Sequence, residues 1–401
     1  MEPKSTTRDC AFDFAEALEF DPTLKQLLDG ETISRIRLPY GEGEAWLVTS
    51  YEDVRTVTTD RRFSRKAIIG RNFPRMTPEP IVQDEAINVM DAPASSRLRS
   101  LVSKGFAPRH MEHMERRVQH VVDELLDRMT EHGSPADLME HLAGPLPLTT
   151  ICEVLDIPET DRSQLRAHAR TMMDTGLDNR DNAVKAKAEL RSYFATLTAQ
   201  RRKDPGDDLI STLATARDGD EILNNQELAV MAMVLLITGQ DTTTYEIGNI
   251  VYTLLSRPEE LAMLRSRPEL FPQAIEELLR FIPFRKGVGI PRMALEDVEL
   301  GGVTIRQGDI VHVSYLTANR DERKFDRPDE LDLERTTPPH MTFGWGGHHC
   351  LGAPLASAEI RMAVGSLLKR FPGLKLAKPA DEVRWNTTSI WRFPLALPVA
   401  W

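Results

Sequence analysis

The chain has 401 residues, 41% of them hydrophobic, enough for a large core, and no glycine-serine tract, tandem repeat or low-complexity block divides it. Length alone would allow two or three folding units, but without a linker we expect a single domain over residues 1–401. A formal net charge of −11 argues against nonspecific nucleic-acid binding, and three cysteines give no case for a disulfide framework.

In chain order, Met1–Phe12 is polar and charged, unlike a signal peptide or membrane anchor, so a soluble, cytoplasmic protein is expected. Ala45–Val48 reads as a strand. Asp91-Ala92-Pro93-Ala94-Ser95-Ser96-Arg97-Leu98-Arg99 precedes a region, from about His110 to Leu279, in which helical periodicity dominates. Its most apolar part, Leu228–Leu255, must be a buried helix. Thr238-Gly239-Gln240-Asp241-Thr242-Thr243 sits in its middle, and burying an acid, an amide and hydroxyls there is costly unless they are hydrogen-bonded or line a cavity. Threonine can bond back to the preceding turn and open a bulge. Glu277 and Arg280 share a face of the helix Ala274–Phe281. Strand-like runs follow at Val298–Arg306, with a Gly301-Gly302 turn, and at Ile310–Val313. The mixed-charge stretch Asn319–Asp332 reads as a loop. A last strand is expected at Leu395–Val399. The sum is a mainly α protein with a small β-rich lobe.

Phe343-Gly344-Trp345-Gly346-Gly347-His348-His349-Cys350-Leu351-Gly352 places a cysteine behind a glycine loop, just ahead of a helix predicted over Leu355–Leu368. The positive end of that helix favours a thiolate. Gly344, Gly346 and Gly352 permit tight turns and let a large flat cofactor lie against the loop. This is a way to present one thiolate to iron. Zinc is the rival, because His340, His348, His349 and Cys350 lie close together, although the usual paired spacing is missing. Cys10 and Cys152 read as small core residues.

With these motifs the chain resembles the cytochrome P-450 family of heme-thiolate monooxygenases, whose loop reads Phe-Gly-x-Gly-x-His/Arg-x-Cys-x-Gly. Every fixed position matches, and Trp345 stands where the usual bacterial loop has His. The resemblance implies that fold, with heme b between the long central helix and the cysteine-bearing loop and helix. Cys350 is then the iron ligand, and Phe343, Gly344, Arg99, Arg292 and His348 are further heme contacts. It implies O2 as co-substrate, with Asp241 and Thr242 delivering protons and the groove beside Gly239 admitting oxygen. Glu277 and Arg280 match the family's structural ExxR pair, and Asn319–Asp332 matches its meander. Asp91–Arg99 resembles DPPxHxxxR, with Ala92 for the first Pro and Ser95 for the His that often shares a propionate.

By the same resemblance, the distal pocket draws on Ile69, Phe73, Met76, Ile81, Val82, Met173, Ile237, Thr238, Val288, Ile290, Ile390 and Trp391. Thr238 adds a hydroxyl where such enzymes more often carry Ala or Gly. Pro39-Tyr40-Gly41-Glu42 looks like bacterial oxidases that tailor polyketides, especially macrolides. The expected reaction is therefore insertion of one oxygen atom, as hydroxylation or epoxidation, into a bulky secondary metabolite. Phe73 and Trp391 equally suit an aromatic or cyclic-peptide substrate, so the alternative is oxidative coupling or ring formation. A non-catalytic auxiliary homologue is a third reading, opposed by the intact Cys350, Arg99 and His348. With no dinucleotide fingerprint, electrons are expected from a ferredoxin and its reductase, docked near Arg97, Arg109 and Arg361. No membrane or nucleic-acid partner is expected, and the chain reads as a monomer.

Overall fold

The computed structural model describes residues 7–12, 17–77, 86–106, 108–173, 180–217, 222–336 and 339–401. The chain forms two compact units, each discontinuous in sequence: Met1–Ser96 with Glu276–Cys350, and Arg97–Ile275 with Leu351–Trp401.

The first unit holds a mixed six-stranded sheet in the order Arg8–Asp9, Ile33–Arg37, Ala45–Val48, Ile310–Val313, Arg292–Ala294 and Phe63–Ser64. Its centre is the parallel pair in which Ala45 faces Ile310 and Val48 faces Val313. Ala45–Val48 is buried along its whole length, as a short continuous apolar run predicts for a covered strand, and so is Ile310–Val313 with His312 inside it. Arg292 pairs antiparallel with Val311, which fixes an arginine at the end of an interior strand. The Gly301-Gly302 turn joins Val298–Leu300 to Val303–Ile305 as expected, both glycines at positive φ.

The second unit is helical. The expected long helix runs from Asn225 to Leu255. Asn224 caps it through a reciprocal box, its side chain accepting from the Glu227 amide at 2.9 Å while Glu227 accepts from the Asn224 amide at 2.9 Å. Helices Pro145–Val154, Arg180–Lys203 and Ala353–Arg370 pack against it, and Pro108–His132 packs on the last of these. The expected final strand is displaced: Pro398–Ala400 pairs with Lys375–Leu376 and Ala136–Asp137. Pro394 and the exposed Leu395 precede it outside the ladder.

Inside this bundle Glu359 is 2% exposed and faces Thr150. Burial pushes its carboxyl up to about 8 from 4.5, with the neighbouring Thr150 hydroxyl pulling the other way. A raised acid favours the folded state while it is protonated. This contribution is intact below about 4.5 and is lost as pH rises toward about 8, at up to ~1.4 kcal/mol per pH unit. Glu359→Gln should flatten the fall in melting temperature across that window. A wild-type slope in the variant would show that the group titrates normally.

Candidate functional site

The glycine loop is built by the first unit. Cys350 donates its amide to the Phe343 carbonyl at 2.8 Å, Gly344 to Met341 at 2.8 Å and His349 to Gly346 at 3.1 Å, so the loop closes on itself. Gly344 and Gly346 hold φ of 76° and 69°, where a side chain is strained. At Gly346 a Cβ would also sit 2.6 Å from the Thr58 carbonyl oxygen. Gly352 differs from the expectation: its φ is −83° and a Cβ there would meet nothing within 4 Å, so no turn requires glycine. Cys350 is exposed, whereas Cys10 and Cys152 are buried and their thiols are each pushed up to about 11 by desolvation. Trp345 packs edge-on against Tyr51, ring centroids 6.0 Å apart, and so extends the cluster around Val54, Val57 and Phe325.

The zinc alternative does not survive. His340 is engaged at both ring nitrogens, Nε2 with Glu276 Oε2 at 3.1 Å and Nδ1 with the Thr342 amide at 3.2 Å. No group of three or more metal-ligating His, Cys, Asp or Glu occurs among the described residues.

Beneath the loop lies a buried ion pair. Both Glu277 and Arg280 side chains are sealed from solvent. Arg280 Nε and Nη2 meet the two Glu277 oxygens at 2.7 and 2.8 Å, and Nη1 donates to the carbonyls of Asn319 and Pro328 at 2.8 and 2.9 Å. Asn319 then accepts from the Met341 amide at 2.6 Å and donates to Thr342 Oγ1 at 3.0 Å. The helix, the meander and the start of the loop thus share one network. Arg335, which the sequence did not single out, joins it through Nε to Glu277 at 3.1 Å.

A second buried group surrounds Arg292. The residue is 1% exposed, and beyond the Tyr315 phenol that faces its guanidinium neither Nη1 nor Nη2 has a well-formed hydrogen bond among the described residues. Arg65 lies nearby, pulled down to about 9 by desolvation first and by the charge of Arg292 next. Its Nη1 donates to the Asn88 carbonyl at 2.8 Å, and its amide to Asp91 Oδ1 at 3.0 Å. Desolvation raises the Tyr315 phenol, but Arg292 and Arg65 outweigh it and lower it overall. Buried cations with orphaned donors call for an anion. A heme carboxylate fits that demand. Arg65 and Tyr315 were missed because a lone Arg after Phe-Ser and a Tyr ahead of Ala-Asn-Arg-Asp carry no spacing signal.

In the second unit the motif Thr238–Thr243 lies on the long helix. The threonines bond back: Thr238 Oγ1 to Val234 O at 2.8 Å, Thr242 Oγ1 to Thr238 O at 3.0 Å and Thr244 Oγ1 to Gln240 O at 2.9 Å. They open no bulge, and the helix is α-helical throughout. Gly239 packs against Ile151, where a Cβ would come within 3.2 Å of that side chain. Desolvation raises the Asp241 carboxyl, while Arg170 and Arg166 pull it back. These arginines lie four apart on Glu159–Met173, and the sequence did not single them out.

Arg97 is held by Glu227 and by the Ile222 carbonyl at 3.2 Å rather than projecting to a partner. Arg361 lies 3.9 Å from Glu115. The side chain of Arg109 is outside the described residues, as are Ile81, Val82 and the side chain of Met173. Of the expected pocket residues, Phe73, Met76, Val288 and Ile290 come together in one apolar cluster of the first unit. Ile69, Ile390 and Trp391 are half-buried, Ile237 is buried and Thr238 is exposed. Arg99 lies on the helix Ala94–Ser103, and His348 in the single turn Gly346–His348. No helix among the described residues is long and apolar enough to cross a membrane.

Comparison with known proteins agrees with this chemistry. The cytochrome P-450 family profile matches residues 153–387. The chain is 44% identical to nocardicin C N-oxygenase of Nocardia uniformis subsp. tsuyamanensis, covering 99% of this chain and 100% of that protein. It is 43% identical to mycinamicin IV hydroxylase/epoxidase of Micromonospora griseorubida, over 94% of both. Among solved structures, a cytochrome P-450mel with biaryl coupling reactivity shares 69% identity at a TM-score of 0.96, covering 99% of this chain and 100% of that one.

Proposed function

Because the chain belongs to the cytochrome P-450 family and is a heme monooxygenase of secondary-metabolite biosynthesis, we propose that it carries out oxidative carbon–carbon coupling of an aromatic, phenolic metabolite. The observation that carries this reading is the 69% identity, end to end, with a structure of biaryl coupling reactivity. Phe73 lies in one apolar cluster with Met76, Val288 and Ile290, the residues this reading assigns to the pocket. Oxygen insertion into a macrolide-like substrate is the second reading, supported by the 43% identity to an enzyme of mycinamicin IV.

Bound heme supplies O2 activation, which thiolate ligation favours. Cys350 is the ligand in this reading. Arg292, Arg99 and His348 would hold the propionates through charge-assisted bonds, with Phe343 and Gly344 as further heme contacts. Arg65 adds charge on the side where Ser95 provides no imidazole. Asp241, kept between its buried setting and the charges of Arg166 and Arg170, takes protons from solvent, and the Thr242 hydroxyl passes them on. Electrons come from a ferredoxin and its reductase, since the chain carries no dinucleotide fingerprint of its own.

The test is product mass. With ferredoxin, reductase and a nicotinamide donor, phenolic and polycyclic aromatic substrates should give a product equal to two substrate molecules less two hydrogens. Gain of one oxygen on a macrolide, with no dimer from any phenol, would sink the coupling reading in favour of the second.

A further inference from the structure

The long helix carries more buried polarity than its central motif explains. Thr242, Glu246, Asn249 and Thr253 follow at spacings of four, three and four, and so share one face over three turns. Glu246 is 5% exposed, Asn249 0% and Thr253 3%. Neither carboxyl oxygen of Glu246 has a partner among the described residues, and neither does Asn249 Oδ1. Asn249 Nδ2 donates to the Arg392 carbonyl at 2.8 Å, which fixes the amide with its oxygen unsatisfied.

An isolated carboxylate in such a place is far too costly to keep charged. Burial alone drives Glu246 well above the ordinary carboxyl range, with no charged neighbour acting on it. Three unpaired oxygens on adjacent turns call for a donor, a role that ordered water fills in protein interiors. Helical side chains lean toward the N-terminus, over the residues three and four earlier, so the Glu246 carboxyl is directed toward the turn of Thr242. The Thr242 hydroxyl donates to Thr238 O at 3.0 Å, and its lone pairs can accept a proton from behind.

We propose that Glu246 stores a proton for Thr242, with a water held between Glu246 and Asn249 completing the relay. When the Thr242 O–H bond gives up its proton in turnover, the Glu246 O–H bond breaks and its proton passes through water to the Thr242 oxygen. Glu246 is left as a carboxylate and regains a proton from bulk water between turnovers, and no electrons move. Glu246 is a positioning residue, acting through Thr242, and the proposal rests on the assignment of proton delivery to Asp241 and Thr242.

Glu246→Gln keeps size and hydrogen bonding but cannot store a proton. In the infrared spectrum of the resting holoenzyme, the wild type should show a carbonyl band of a buried carboxylic acid that shifts in deuterium oxide, and the variant should lose it. During turnover the variant should show a larger solvent isotope effect and more peroxide per electron consumed, with heme content and melting temperature unchanged. An unaltered infrared band would overturn proton storage. Loss of the band with unchanged isotope effect and peroxide yield would overturn the relay, provided Thr242→Ala still uncouples. If Thr242→Ala is also silent, the Asp241–Thr242 assignment falls and the relay with it.

Discussion

Arg280→Met should leave little folded, heme-loaded protein. Its guanidinium is spent on five acceptors in a sealed pocket: the two oxygens of Glu277 and the carbonyls of Asn319, Pro328 and Glu330. Arg335, at 3.1 Å from Glu277, compensates only one of its two oxygens, and removing one partner of a buried pair costs about 3–5 kcal/mol. That is a large share of the roughly 5–15 kcal/mol by which a domain is stable. The damage would also spread. Asn319, whose carbonyl Arg280 holds, bonds the Met341 amide and Thr342 ahead of the loop. We expect Arg280→Met and Glu277→Gln each to lower soluble yield and heme per chain, with a sharp fall in melting temperature. Normal heme content and melting temperature in Arg280→Met would show that the network is dispensable.

Cys350→Ser should do the opposite: keep the fold and lose the chemistry. The residue is exposed, and its hydrogen bond to the Phe343 carbonyl is made by the backbone amide and survives substitution. What disappears is the thiolate and the electron density it donates to iron. The reduced carbon-monoxide adduct should lose its red-shifted Soret band, and oxidation of any substrate should fall to background while the melting temperature of the apoprotein is retained. A persistent thiolate-type band would remove Cys350 from the iron.

Local chemistry was legible in the sequence wherever it was written as spacing. Glu277 and Arg280 show their pairing three apart, and Ala45–Val48 shows its strand as an apolar run. The long helix announces itself by its apolar length, although its N-terminus was recognised only at Leu228, because Asn225, Gln226 and Glu227 are polar residues of a capping turn. What stayed hidden depends on residues distant in sequence. Arg65 becomes interesting only when Arg292 and Tyr315 lie beside it, and Arg166 and Arg170 only when Asp241 does. The threonines bond back to the preceding turn as expected, yet the helix keeps its α-helical course and no bulge opens. Glu246 escaped notice because in sequence an acid after Tyr245 looks like any helical glutamate, and only burial makes it exceptional.

The contact between Gly346 and the Thr58 carbonyl bears on redesign of the loop. With only hydrogen at position 346, the loop rests directly on the backbone at the end of the helix Tyr51–Thr59, and Trp345 braces the same helix through Tyr51. Loop and helix therefore behave as one cassette. An engineer exchanging the ten residues around Cys350 for those of a relative would do better to move Tyr51–Thr59 with them, since side-chain repacking cannot absorb a misfit against main chain.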